Sequence, residues 1–170
     1  MDTLINVGVA RIEISSNPAV LRTILGSCVG VCIYDRMKKV GGLAHILLPN
    51  WVKDGVKEKY ADTAIPMLVN QLLKMGCTRE FMSAKIAGGA SMFRFQANLT
   101  LGQIGERNVE KVHQLLRELR IDVVFEHTRG SFGRSFEFDV ATGFIKVRAV
   151  GASTVEKDLA AVLGIQRRAA

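Results

Sequence analysis

The chain has few cysteines, few aromatic rings and no long apolar run, and each shortage removes a class of protein. Three cysteines in 170 residues are an odd number and too few for a disulfide framework. Neither they nor the three histidines fall at zinc-finger or zinc-ribbon spacing, so no metal site is expected. Reduced thiols in a cytosolic protein are the economical reading. No stretch approaches the roughly 18 apolar residues of a membrane-crossing helix. The start, Met1-Asp2-Thr3-Leu4-Ile5-Asn6, lacks the basic region and apolar core of a signal peptide. A soluble, cytoplasmic protein without membrane insertion is the expectation. At 6% aromatics there are few platforms for stacking bases, and Lys and Arg are scattered rather than striped. Nucleic acid is therefore not an expected partner.

What is present is enough apolar material for one real core: 48% of the residues. The excess of 23 Lys and Arg over 16 Asp and Glu gives +7, a surface suited to an acidic protein partner because complementary charge speeds encounter.

Periodicity predicts strands over 5–9 and 12–14, with a turn at Asn17-Pro18. The run over 20–34, VLRTILGSCVGVCIY, is rich in Val and Ile and broken by Gly26-Ser27 and Gly30, which predicts two strand pieces meeting at a bend. A polar turn follows at 35–39, then a strand over 40–48 that completes a hairpin and ends at Pro49. Residues 51–59 read as a loop. Ile65, Leu68, Val69, Leu72 and Leu73 recur at helical spacing, with Thr63 as the expected N-cap and Pro66 in the first turn. Val109, Val112, Leu115, Leu116 and Leu119 predict a second helix, preceded by Gly102 and Gly105. Further strands are expected over 82–87, 121–125, 134–140 and 144–150, and a short helix over 154–163. The fold class is α/β (α+β mixed), a layered sandwich of β-sheet and helices in a single domain over 1–153, with 154–170 as a C-terminal helical or flexible tail.

Cys28 has two readings. A cysteine in an apolar strand is ordinarily an inert buried residue. Here, however, Gly26 precedes Ser27-Cys28 and permits a tight turn whose peptide N–H groups could form an oxyanion hole. Gly30 leaves the sulfur's own strand face without a side chain, which reads as room for a substrate. Cys32 and Cys77 read as core fillers. His45 lies in the apolar strand Gly41-Gly42-Leu43-Ala44-His45-Ile46-Leu47-Leu48-Pro49. It is either a hydrogen-bonded core histidine or a base. Counting about the hairpin turn near Met37 places it nearly opposite Cys28, at a Cβ separation of about 5 Å. A free thiol with a pKa of about 8.5 is only slightly ionised at neutral pH, and a neighbouring imidazole can take its proton. Thr23 could orient that imidazole through its hydroxyl, or merely satisfy local backbone. His113 and His127 have no comparable relation to a cysteine.

Taken with Lys59-Tyr60-Ala61-Asp62-Thr63-Ala64, Ala84-Lys85-Ile86-Ala87-Gly88-Gly89-Ala90-Ser91-Met92-Phe93 and Ile104-Gly105-Glu106-Arg107-Asn108, the segments around Cys28 and His45 resemble the CheD family, the chemoreceptor glutamine deamidases of bacterial and archaeal chemotaxis. The resemblance covers about residues 20 to 150. It implies an α/β sandwich with a cysteine, histidine and hydroxyl triad: Cys28 as nucleophile, His45 as base and Thr23 as third member, with the Ser27 and Cys28 N–H groups as oxyanion donors. Some relatives carry the threonine one residue further from the cysteine, where this chain has Arg22. Near the last loop the family tends to an Asp and a Gly-Gly pair, whereas this chain reads Glu126-His127-Thr128-Arg129-Gly130. The implied chemistry converts receptor glutamine to glutamate through a cysteine thioester and needs no metal or organic cofactor. The implied partners are the cytoplasmic domains of methyl-accepting chemoreceptors and a CheC-type phosphatase. The alternative is a non-catalytic module that acts only by binding that phosphatase.

Overall fold

A computed structural model describes residues 3–53, 55–92 and 103–151. Among these residues nine strands form two sheets, and two α-helices cover one of them. In chain order the strands are β1 (Thr3–Asn6), β2 (Ile12–Ser15), β3 (Ala19–Leu25), β4 (Val29–Asp35), β5 (Val40–Ile46), β6 (Met82–Gly88), β7 (Asp122–Thr128), β8 (Gly133–Asp139) and β9 (Ile145–Val150). Helix α1 (Ala61–Lys74) lies between β5 and β6, and α2 (Ile104–Glu118) between β6 and β7. The five-stranded sheet has the order β2-β5-β4-β6-β7 and the four-stranded sheet the order β1-β3-β8-β9. The expected mixed α/β layering is what the chain adopts. The expected helix over 154–163 and the division at residue 153 lie outside the described residues.

The burial pattern explains the composition of each strand. Every residue of β4 is buried, because helices cover one face of its sheet and the second sheet covers the other. Such a strand reads as a continuous apolar run. Val29, Val31 and Ile33 enter the helix-side core with Ile65, Leu68 and Val112, while Cys32 and Tyr34 enter the core between the sheets with Leu21, Phe136 and Phe138. By contrast, β3 alternates: Leu21, Thr23 and Leu25 point inward, and Val20, Arg22 and Ile24 are only partly covered. The predicted bend at Gly26-Ser27 is therefore also a change of sheet. The two halves of one apolar run, β3 and β4, pair in different sheets and face each other across the core.

Two helix starts differ from expectation. Helix α1 begins at Ala61, with Tyr60 rather than Thr63 at the N-cap. The reason is that its first orphan N–H groups find backbone acceptors: Ala61 donates to Leu48 O at 2.9 Å and Asp62 to Pro49 O at 3.3 Å. The Thr63 hydroxyl instead donates to Lys57 O and Tyr60 O. Pro66 consequently lies inside the helix rather than in its first turn, and its missing N–H leaves one intrahelical bond unmade. Helix α2 begins at Ile104, so Gly105 sits within its first turn. A Cβ there would stand 2.6 Å from the carbonyl oxygens of Gly89 and Ala90, so only glycine lets the helix pack directly on that backbone.

Candidate active site

The turn that joins the sheets is gripped by its carbonyls. Gly26 O accepts from Ala90 N at 2.8 Å, Ser27 O from Asn108 Nδ2 at 3.1 Å, and Cys28 O from Gly89 N at 2.7 Å. No peptide bond here is cis. In a trans peptide the N–H points opposite to the preceding C=O. The N–H groups of Ser27 and Cys28 are thus directed away from Ala90 and Asn108. The turn following β6 must approach very closely to make these bonds. A Cβ on Gly88, whose φ is +103°, would lie 2.1 Å from Cys28 O. Cys28 itself is 2% exposed and lines the core between the sheets.

His45 reaches this core from the other strand of the hairpin and is fully buried. Its Nδ1 lies 2.7 Å from Thr23 Oγ1 and 3.5 Å from Val7 O. The Thr23 hydroxyl donates its single proton to Val7 O at 2.7 Å, so towards the imidazole it can only accept. Both neighbours of Nδ1 are therefore acceptors, which assigns the proton to Nδ1. That leaves a lone pair on Nε2, which has no hydrogen-bond partner among the described residues. Burial pushes the imidazole pKa from 6.5 down to about 4, only partly opposed by the bond to the Val7 carbonyl. A ring held neutral with a bare Nε2 is equipped to take a proton.

The register corrects two expectations. His45 pairs with Gly30, not with Cys28. The last pair of the ladder is Val29 with Ile46, so Cys28 lies one step beyond it, on the same face as His45 but diagonal to it. Diagonal neighbours are more widely spaced than a direct pair yet remain within reach of a long or aromatic side chain. The miscount came from centring the turn near Met37 with arms of unequal length, whereas the ladder closes with Asp35 opposite Val40 and is centred between Met37 and Lys38. Nor does Gly30 open space for a substrate. A Cβ there would meet Leu25 Cδ1 and Phe136 Cδ1, each at 3.0 Å, so the room it leaves is filled by core side chains.

The remaining candidates fall elsewhere. Cys32 and Cys77 are buried in the two cores, and burial pushes both thiols up. His113 pairs with Glu126 at 3.1 Å, and His127 stacks edge-on with Phe132. Arg22 lies on the outer side of β3 beside Glu137, 3.7 Å away, so the hydroxyl next to His45 belongs to Thr23. Among the described residues no group of three or more His, Cys, Asp or Glu could hold a metal ion. A cavity of about 460 Å³, lined by His113, Leu116, Arg117, Arg120 and Ile121, sits by the C-terminal end of α2. Cys28 lies towards the opposite end of that helix, where Asn108 binds its turn.

Three contributors were not apparent in the sequence. The Val7 carbonyl orders the Thr23 hydroxyl, but a backbone acceptor leaves no mark in composition. Asn108 is buried inside α2 and bonds Ser27 O and Leu47 O through one nitrogen. A polar residue on the apolar side of a predicted helix was its available signal. Arg134, 1% exposed, donates to the carbonyls of Gly88, His127 and Arg129, and burial pulls its pKa down. Where the chain departs from Gly-Gly, Arg129 adopts a left-handed φ of 68°. Its guanidinium forks onto the Glu106 carboxylate at 2.9 to 3.0 Å and its backbone N–H donates to Gly88 O.

Comparison with known proteins identifies the family. Residues 47–149 match the profile of the CheD family, described as CheD chemotactic sensory transduction. A protein of Desulfitobacterium hafniense named "Probable chemoreceptor glutamine deamidase CheD" is 43% identical over 153 residues, covering 88% of this chain and 96% of its own. One of Halalkalibacterium halodurans, "Chemoreceptor glutamine deamidase CheD", is 44% identical over 155 residues with the same coverage. Among solved structures, Bacillus licheniformis hypothetical protein YfiH aligns at a TM-score of 0.46 and 19% identity, over 69% of this chain and 49% of that one.

Proposed function

Because the chain belongs to the CheD family, we propose that it is a chemoreceptor glutamine deamidase whose nucleophile is Cys28 and whose base is His45. The observation that carries the residue assignment is the polarity of the buried imidazole: Nδ1–H engaged by Thr23 and Val7, Nε2 bare, on the strand face that Cys28 shares. In the first step Nε2 takes the Cys28 thiol proton and the sulfur bonds to the side-chain amide carbon of a receptor glutamine. The oxygen of the tetrahedral adduct gains negative charge opposite the Ser27 and Cys28 N–H groups. The proton on Nε2 then passes to the amide nitrogen, the C–N bond breaks and ammonia leaves a thioester. Water, deprotonated by Nε2, attacks that carbonyl. The C–S bond breaks, the thiol recovers its proton and the side chain is left as glutamate. Thr23 touches no reacting atom; it is a positioning residue that fixes the tautomer and plane of the ring.

The same reading places the protein in the cytoplasm, where receptor signalling domains lie, and assigns residues 1–153 to the deamidase unit with 154–170 as a tail. It also includes a CheC-type phosphatase as a second partner, which a binding titration with and without receptor fragment tests. No helix among the described residues is long and apolar enough to cross a membrane. The test of the activity is mass spectrometry of a receptor cytoplasmic fragment after incubation. Exchange of amide NH2 for OH at discrete glutamines, with stoichiometric ammonia, is expected from the wild type and not from Cys28→Ala. Unmodified glutamines with the wild type, or full activity in Cys28→Ala, would overturn the assignment.

A further inference from the structure

The β4–β5 ladder stops just where the chemistry begins. Beyond the Val29–Ile46 pair the strands part: the next ladder bonds would join Ser27 and Leu48, but Leu48 N donates to Lys59 O at 3.2 Å instead. Cys28 and Leu47 are the next residues on the two strands, between the last rung and the one that is lost. Into this gap α2 delivers Asn108. Its Nδ2 donates one hydrogen to Ser27 O at 3.1 Å, on the nucleophile's turn, and the other to Leu47 O at 2.9 Å, two residues past His45. Only the nitrogen of the amide can serve two carbonyls, so the side-chain orientation is fixed by chemistry.

That arrangement comes at a cost. Asn108 is wholly buried, and its Oδ1 has no hydrogen-bond partner among the described residues. An unmet buried acceptor is normally removed by evolution or by repacking, and a satisfied apolar side chain would suit this helix face better. The amide is kept for its nitrogen. From these contacts we infer that Asn108 is a positioning residue for deamidation, a clamp that replaces the missing rung of the ladder and fixes the Cys28 turn relative to the His45 strand. It also sets the second oxyanion donor: the Ser27 carbonyl it holds belongs to the same peptide plane as the Cys28 N–H, so fixing one end aims the other. Displacement of a nucleophile by as little as about 1 Å can cost about a hundredfold in rate.

The inference rests on the deamidase reading, and its test separates the two. Steady-state deamidation of a receptor fragment and the pH dependence of Cys28 alkylation by iodoacetamide, read by peptide mass spectrometry, are measured for wild type, Asn108→Ala and Leu116→Ala. The last removes buried apolar volume two turns along the same helix and reports a purely structural loss. Asn108→Ala is expected to lower kcat about 10- to 100-fold with KM within about twofold, and to shift the alkylation midpoint away from the wild-type value. Leu116→Ala moves neither at equal folded fraction. If Asn108→Ala is not recovered folded, Asn108→Ser, whose hydroxyl can donate to only one carbonyl, takes its place. Wild-type kcat and alkylation midpoint in the Asn108 variant, or equal changes in Leu116→Ala, overturn the clamp. A wild type inactive on receptor fragments, with an alkylation midpoint still shifted by the Asn108 change, overturns the substrate reading and upholds the clamp.

Discussion

The turn that carries Cys28 and the loop that follows β7 both rest on the Gly88-Gly89 backbone, yet they are held by different forces. The Cys28 turn is fixed by neutral hydrogen bonds from buried donors, Gly89 N, Ala90 N and Asn108 Nδ2, to three successive carbonyls. The loop at Arg129 is fixed by half-exposed ion pairs to Glu106 and Glu126, backed by the buried guanidinium of Arg134. Buried neutral bonds are indifferent to salt and break only with the fold, whereas exposed pairs are screened and worth about 1 kcal/mol or less. The proposed nucleophile therefore stands on the rigid side of Gly88, and the tunable side is the loop at Arg129.

If that contrast holds, changes on the two sides differ in kind as well as in size. The largest effect is expected from Cys28→Ala, which reduces ammonia release to background with the fold intact, as checked by circular dichroism. Thr23→Val keeps the shape of the side chain and removes the acceptor for Nδ1–H. It is expected to lower kcat by about 10- to 100-fold, a part of the about 10²- to 10⁴-fold that general acid–base catalysis contributes, since the base is kept but loses its orientation. An equal loss of KM and kcat in this variant would mean that Thr23 contacts substrate instead.

A third prediction concerns acid. An unfolded histidine takes up its proton near pH 6.5, but folded His45 does so only at about 4. Between those values the unfolded state binds more protons, so stability falls as pH drops from about 6.5 to about 4, by up to about 3 kcal/mol. Urea titrations across this window should show the slope, and His45→Gln should flatten it. For the same reason the acid limb of kcat/KM lies well below the ordinary histidine range. The smallest effect belongs to the tunable side. Arg129→Gly relieves a left-handed φ and gives up an exposed pair, so its stability should lie within about 1 kcal/mol of the parent. Raising salt should remove the ion-pair part of that difference. A large, salt-independent loss would show the loop to be as rigidly built as the turn.

Much of the fold was legible because burial writes itself into sequence. The fully covered β4 read as an unbroken apolar run, and β8 and β9 flanked a recognisable Ala141-Thr142-Gly143 turn. The start of α1 was not legible, because its caps are the carbonyls of Leu48 and Pro49, supplied by a neighbouring segment rather than by a side chain. Cys28, His45 and Thr23 could be picked out from residue type and local context. Their geometry could not. A two-residue error in hairpin register turned a diagonal relation into a direct one, and Gly30 read as substrate space when Leu25 and Phe136 occupy it. Asn108 escaped because its partners are two backbone oxygens 81 and 61 residues away.

The change of sheet at Gly26-Ser27 has a consequence for the order in which the protein acquires its parts. Thr23 pairs within the four-stranded sheet and His45 within the five-stranded one, and Cys28 sits on the crossing between them. A chain in which each sheet has formed but the two have not yet closed on one another would have its ladder bonds and none of its catalytic geometry. Its imidazole would be wet, free to choose either tautomer, and its thiol open to oxidants. Docking of the sheets dries the ring, selects the Nδ1–H form and covers the sulfur in one event. On the proposed deamidase reading, competence for catalysis would arrive only with that docking, and the thiol would be shielded as soon as it becomes useful.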